Sequence, residues 1–492
     1  MDYTELYQQS GALVAFSSGA HWVANAIHDR LVVRRADTFQ ITRAWHVDVS
    51  PSPSNASFVA STNRHSPAAQ LSSSSTDALV SHIAWSADSE YLLAACARHG
   101  VVNIYKMRDE DWSARIEAGV EGLVRAEWAP DGRNILCFSE WGLRVTVWSL
   151  VTGVATHIQF PKHPDRGYAF RRDGRYFVLA ERHRSKDMLG VYDAGDSYKQ
   201  ARHYTVPTSS LASLAISPTG KHIAVWEGPL EFKLCILSLP GTLLSTYIPQ
   251  PDTGLGIRCV AWHPSGSFIA VGGYDDKIHI LDGLSWSCVV TLELASRIPT
   301  RVTVWREPSN WIEATLGRGY LSYERPQGTQ SIIVNRADAS KAYPKSGLVQ
   351  LEWNANGSLL VARYESAPTA LFIYAFPAPS ERFKPCLRSV LLHTKPVIRA
   401  RWNPIRSGAL VLSCGGGGLY TWSNEWSSSD TDQGVNENED EEIAECIGIP
   451  AKNFQLRDVR WAPDGKGLLL IDKDVFCCAF EVEDDEDETG GA

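Results

Sequence analysis

Eight cations fall within 25 residues of this chain: Lys162, Arg166, Arg171, Arg172, Arg175, Arg182, Arg184 and Lys186. Tyr168, Phe170, Tyr176 and Phe177 are interleaved with them. Such a set suits electrostatic docking of an acidic partner surface, provided that alternate positions project to one rim. The bland alternative is a solvated sheet edge, where Lys and Arg also discourage edge-to-edge aggregation. A second candidate is Gly415-Gly416-Gly417-Gly418, a run that could cradle a phosphate. It lies between Leu410-Val411-Leu412 and Leu419-Tyr420-Thr421-Trp422, with no following helical pattern and no Gly-Lys-Ser/Thr. A hairpin turn is therefore expected there. The 14 histidines are scattered, and His99, His183, His222 and His263 fall near turns, where capping or surface roles are the default. Neither a Gly-x-Ser-x-Gly elbow nor a His-Glu-x-x-His zinc pattern occurs. No catalytic, cofactor or metal residue is assigned, and the expectation is a protein that is not an enzyme.

The elements that must carry these residues repeat. An aromatic or branched apolar residue is followed nine times by a short Pro/Asp/Gly/Ser turn and a second apolar run. Trp128-Ala129-Pro130-Asp131-Gly132, Trp262-His263-Pro264-Ser265-Gly266 and Trp461-Ala462-Pro463-Asp464-Gly465 are the clearest copies. Weaker ones start at Phe16, Trp85, Phe170, Ile216, Trp353 and Trp402. From Trp85 the spacings are 43, 42, 46 and 46, then 91 from Trp262 to Trp353. The long gap suggests a degenerate unit near Val302–Trp305.

Within one unit, Val124, Ala126 and Trp128 alternate with Arg125 and Glu127, the period of a half-buried strand. Ile135–Phe138 reads as a strand buried on both faces, and Val145–Trp148 as a third. A fourth follows Thr152-Gly153. A four-stranded sheet with two apolar faces must stack on copies of itself, and a period of roughly 40–45 residues marks a WD-repeat β-propeller. The expected fold is all-β, one closed ring of more than seven blades with the N-terminal segment pairing into the last sheet. Seven blades with extra ones appended is the alternative. Most of the 17 tryptophans are assigned to packing between blades, leaving room for a surface aromatic that touches a partner.

Composition agrees with an interaction module. No run approaches the ~18 apolar residues of a membrane helix, and Met1-Asp2-Tyr3-Thr4-Glu5 shows no signal-peptide pattern. Ten cysteines include no CxxC pair, which points to reduced, intracellular thiols. Of the 56 acidic residues, nine lie in 424–445 and seven in 481–488. Without those sixteen, 40 acidic residues face 47 basic ones, a mildly basic body too weak in bias for a dedicated nucleic-acid binder.

The expected organisation follows. Residues 1–46 hold a closing strand and the first blade, and 47–78 form a disordered Ser/Pro-rich insertion. The remaining blades run over 79–480, interrupted by an irregular segment 301–343 and an acidic loop 424–445, with an acidic tail at 481–492.

Several stretches exceed generic repeat grammar. They include Arg30-Leu31-Val32-Val33-Arg34, Ile83-Ala84-Trp85-Ser86-Ala87-Asp88-Ser89, Leu143–Leu150 and Arg172-Asp173-Gly174-Arg175-Tyr176. Leu179-Ala180-Glu181-Arg182, Leu243–Tyr247 and Gly256–Trp262 complete the set. In this order the chain resembles the WD-repeat spindle-pole and centrosome protein family that partners a coiled-coil microtubule-anchoring protein. The likeness runs from about Tyr3 to Val482 and is strongest between Ser81 and Asp282. The resemblance implies a scaffold in the cytoplasm and cytoskeleton, at the spindle pole or microtubule-organising centre. Its implied partners are the coiled-coil protein, a minus-end-directed kinesin and other spindle-pole components, with no membrane, nucleic acid or cofactor. The rival reading is a propeller in RNA or translation-initiation complexes, which would need a basic stripe with stacking aromatics on one rim.

Overall fold

The computed structural model describes residues 1–50, 58–62, 79–251, 254–336, 344–377, 383–425 and 442–481. Most of the Ser/Pro-rich insertion, the centre of the acidic loop, residues 337–343 and the tail beyond 481 therefore lie outside the described residues.

Nine blades form the ring, each an antiparallel sheet of four strands. Blade 1 spans Val14–Phe16 to Ile41–His46, blade 2 His82–Trp85 to Trp112–Glu117, and blade 3 Arg125–Trp128 to Ala155–Gln159. Blade 4 runs from Tyr168–Phe170 to Lys199–Thr205, blade 5 from Leu211–Ile216 to Leu243–Tyr247, and blade 6 from Ile257–Trp262 to Cys288–Glu293. Blade 7 begins at Leu348–Trp353 and ends at Cys386–Leu392, and blade 8 begins at Arg399–Trp402 and ends at Ile443–Gly448. Blade 9 has three strands from Asp458–Trp461 to Val475–Phe480. Its outermost positions are filled from the other end of the chain: Asp2–Tyr3 pairs with Ala479–Phe480, and Tyr7–Gln8 with Val475–Phe476. Gln9 Nε2 donates to the Asp472 and Lys473 carbonyls at 2.8 Å each, which ties this junction down.

First strands of successive blades lie side by side around the axis, as in blades 1 and 2, 4 and 5, and 6 and 7. The recurring motif explains the arrangement. At six of the nine steps a first-strand tryptophan donates its indole N–H to a first-strand carbonyl of the preceding blade. The pairs are Trp85 to Ala15, Trp128 to Ala84, Trp262 to Ala215, Trp353 to Ala261, Trp402 to Glu352 and Trp461 to Arg401, all between 3.0 and 3.3 Å. The acceptor is always the residue just before the equivalent motif position. The turn that follows makes the same backbone bonds in eight of the nine blades, for instance Ala129 N to Asn134 O and Gly132 N to Ala129 O, while in blade 8 the Asn403 side chain caps a longer turn. Its last residue needs a left-handed φ; six glycines supply it at 64° to 80°, while Ala20 and Ser89 adopt it in blades 1 and 2.

Nine apolar clusters fill the nine junctions, including Val14 and Val23 of blade 1 against Leu469, Ile471 and Phe476 of blade 9. The ring is thus closed. Two faces result: a turn face bearing the motif turns, and a hairpin face bearing the connections between second and third strands. Gly415–Gly418 is such a connection, between Ala409–Ser413 and Gly418–Ser423.

The degenerate unit expected at Val302–Trp305 does not exist. Blade 6 packs directly on blade 7, and the intervening segment lies outside the ring. Thr303–Arg306 adds a parallel fifth strand to the outer edge of blade 7, and Tyr320–Ser322 an antiparallel one to blade 8. Phe58–Thr62 does the same for blade 2. An added edge strand carries the same alternation as a blade strand, which is why sequence periodicity misplaces it.

Two buried glutamates lock the segment down. Glu307 accepts from Trp311 Nε1 (2.9 Å), Tyr420 OH (2.6 Å) and the Thr394 amide and hydroxyl. Glu442 accepts from Trp305 Nε1 (3.1 Å), Trp422 Nε1 (3.2 Å), Ser389 Oγ and Arg388 Nε. Burial opposes the Glu442 charge, but the bonds from Ser389 and Arg388 outweigh it and hold the carboxyl below its ordinary range.

Trp353→Phe keeps the ring packed but strands the Ala261 carbonyl, and its urea midpoint should fall by the equivalent of about 1–2 kcal/mol. Glu442→Ala removes the carboxylate to which two buried indole N–H groups and the Ser389 hydroxyl donate. It should cost about 3–5 kcal/mol and raise amide exchange across 303–323 before the rest of the ring.

Candidate functional site

The eight sequence-clustered cations all belong to blade 4 and its approach, but the fold does not gather them. Arg171, Arg172 and Arg175 surround the motif turn on the turn face. Lys162, Arg166, Arg182, Arg184 and Lys186 lie at the opposite end, around the His183–Lys186 hairpin. Four of the eight are already engaged. Lys162, with 5% of its side chain exposed, contacts both carboxylate oxygens of fully buried Asp187 at 2.8 Å. Asp187 also accepts from Leu211 N and Thr208 Oγ1, so this ion pair ties blade 4 to blade 5. Burial lowers the Lys162 pKa, and Asp187 opposes that shift. Arg182 stands 3.6 Å from the same carboxylate. Arg171 forks onto Asp173 and lies over the Tyr176 ring, and Arg175 reaches Tyr176 and Asp193. Arg166, Arg172, Arg184 and Lys186 are exposed. Three of these four share the hairpin face.

Beside them, blade 3 exposes apolar side chains on that same face. Trp141 is 89% exposed, in the hairpin between the second and third strands, and Leu143 follows it. Val120 and Val124 come from the connection leading into blade 3, and Phe160 from the connection leaving it; all three are exposed. The backbone holds Trp141 and Phe160 at φ 60°, an arrangement rare for bulky residues. No other tryptophan among the described residues is exposed. A tryptophan kept out of the core, beside further apolar groups and free cations, has the composition of a binding hot spot. By sequence Trp141-Gly142 reads as the turn between two strands, and the sign of a surface role is a tryptophan off the motif register.

Two cavities flank the junction of blades 3 and 4. The one on the turn face, about 480 Å³, is lined by Asp131, Asp173, Arg175, Asp193 and Asp196. Asp131, Asp173 and Asp193 each accept a backbone N–H within their own turn, so they are turn-forming groups. The second, about 320 Å³, lies between His157–Phe160 of blade 3 and Glu181, His183, Tyr192 and His203 of blade 4. Buried Glu181 places Oε2 2.9 Å from Nε2 of both His183 and His203, while Oε1 accepts from Tyr192 OH. These three side chains could hold a cation. The ten cysteines are free, and burial pushes Cys477, for one, up to about 12. No helix among the described residues is long and apolar enough to cross a membrane.

Residues 241–282, the last strand of blade 5 and most of blade 6, match the WD domain, G-beta repeat family. The chain is 30% identical to the WD repeat-containing protein WRAP73 of Mus musculus, over 98% of this chain and 96% of that protein. It is 19% identical to an uncharacterized WD repeat-containing protein of Schizosaccharomyces pombe, over 77% of this chain and 75% of the relative. A solved structure, KlHsv2 with loop 6CD replaced by a Gly-Ser linker, aligns over 78% of this chain and 99% of its own, with 8% identity and a TM-score of 0.42. With nine stacked blades, a motif match and a relative aligned nearly end to end, the chain belongs to the family of WD repeat-containing proteins that includes WRAP73.

Proposed function

We propose that the chain is a non-enzymatic scaffold at the spindle pole and microtubule-organising centre. It binds a coiled-coil anchoring protein, and with it helps recruit a minus-end-directed kinesin that anchors microtubule minus ends. The place of action and the partners come from the family-like stretches of sequence. The observation that carries the binding role is the exposed group Trp141, Leu143 and Phe160 beside Arg166, Arg184 and Lys186 on the hairpin face. A helix of a coiled coil has apolar positions flanked by acidic ones, the complement of this surface. The rigid ring leaves its other rims free for further components, as multivalent assembly requires. The RNA reading loses support, because the cations divide between two faces and half of them are ion-paired.

Tagged protein in dividing cells should form foci at spindle poles. Trp141→Ala should lower capture of the coiled-coil partner by roughly 30-fold, the loss typical of a hot-spot aromatic, while the thermal midpoint holds because the side chain is exposed. Arg172→Glu on the turn face should leave capture intact. Diffuse or ribosome-associated signal would rule out the spindle-pole reading.

A further inference from the structure

We infer that Glu181, His183 and His203 form a binding site for a divalent transition-metal ion of the zinc type. The inference is independent of the spindle-pole reading.

The site is built by the register of blade 4. Glu181 and His183 are two residues apart on the second strand and so share a face. The third strand pairs Met188 with Glu181 and Gly190 with His203 of the fourth strand. Side chains of the second and fourth strands would normally be kept apart by the third-strand residue between them. Here that residue is Gly190. A Cβ at this position would lie 2.1 Å from Glu181 Oε1 and 2.6 Å from the Tyr192 ring. Glycine inside a long strand costs stability, and its place here is to let a carboxylate and an imidazole from non-adjacent strands meet.

The donor set suits the ion. Two imidazole nitrogens and one carboxylate oxygen lie within 4.8 Å of one another. Two histidines and a glutamate are a recurrent zinc set, with a further position left for water. A cation roughly 2.0–2.2 Å from each donor needs the Glu–His separations to widen only slightly from 2.9 Å. Glu181 is 2% exposed and its oxygens meet His183, His203 and Tyr192, so a dication held there would balance a buried carboxylate. Tyr192 donates to the other carboxylate oxygen and so fixes which oxygen faces the histidines. The cavity beside the cluster gives the ion a way in.

The site bears on the binding surface. The His183 ring meets the exposed Phe160 edge-on, with centroids 5.1 Å apart. An ion holding His183 would therefore steady the edge of the apolar patch.

Chelator-treated full-length protein titrated with Zn²⁺ by calorimetry, and counted by elemental analysis, should take up about one ion per chain. Co²⁺ in its place should give the visible absorption of a low-coordinate site. Glu181→Gln and His203→Ala should abolish this uptake. Tyr192→Phe should weaken it by roughly 10–100-fold, the loss typical when a group orienting a ligand is removed. His203→Cys, which keeps a donor, should retain it, showing that the losses do not come from unfolding. Absence of stoichiometric uptake by the unaltered protein, or equal uptake by His203→Ala, would overturn the assignment.

Discussion

A single hydrogen bond, indole N–H of one blade to a first-strand carbonyl of the blade before it, sets the pitch of the ring. It joins two requirements in one side chain: the indole body fills the wedge between sheets, and its N–H satisfies a carbonyl that lies near the crowded axis. Three junctions manage without it. At blade 4 the motif position is Phe170, and Tyr168 OH reaches across to Glu127. At blade 1 it is Phe16, and Arg460 Nη1 donates backwards to the Val14 carbonyl. At blade 5 it is Ile216, with the Lys162–Asp187 pair holding the neighbouring connection. The missing bonds are compensated by polar contacts placed elsewhere on the same junction. Two of these three steps bound blade 4, the blade that also holds the Glu181 cluster and a mid-strand glycine.

The blades were legible because aromatic, turn and apolar run recur at a near-constant interval and have one common physical cause. The intervening segment 297–334 was not, because Val302, Val304 and Trp305 alternate as any strand would, and only pairing reveals that they sit on an outer edge. Arg171 and Arg184 show the same limit for the surface. They are 13 positions apart in a basic run, yet a strand between them carries each to an opposite face. His203 reaches Glu181 only through strand pairing across Gly190, a contact that sequence separation of 22 residues hides. Trp141 was visible by type but not by exposure, since tryptophan in a propeller is ordinarily packing.

The ring is uneven. Blades 7 and 8 carry extra edge strands clamped by Glu307 and Glu442, and blade 2 carries Phe58–Thr62. Blades 3 to 6 have no fifth strand among the described residues, and the outer strand Lys199–Thr205 of blade 4 is almost wholly exposed, with Lys199, Arg202 and His203 breaking up its apolar character. The extra strands move the outer edge of blades 2, 7 and 8 outward, while blades 3 to 6 end on their own fourth strands.

The pairing of Asp2–Gln8 with Val475–Phe480 imposes an order on synthesis. Blade 1 emerges from the ribosome early, yet Val14 and Val23 find their cover only when Leu469, Ile471 and Phe476 have been made. Until those residues are made the chain is an open arc, and the outer side of blade 1 lacks the cover that blade 9 gives it. Closure therefore waits on the strands of blade 9, and an arc still open exposes apolar surface and strand edges on which newborn chains can mispair.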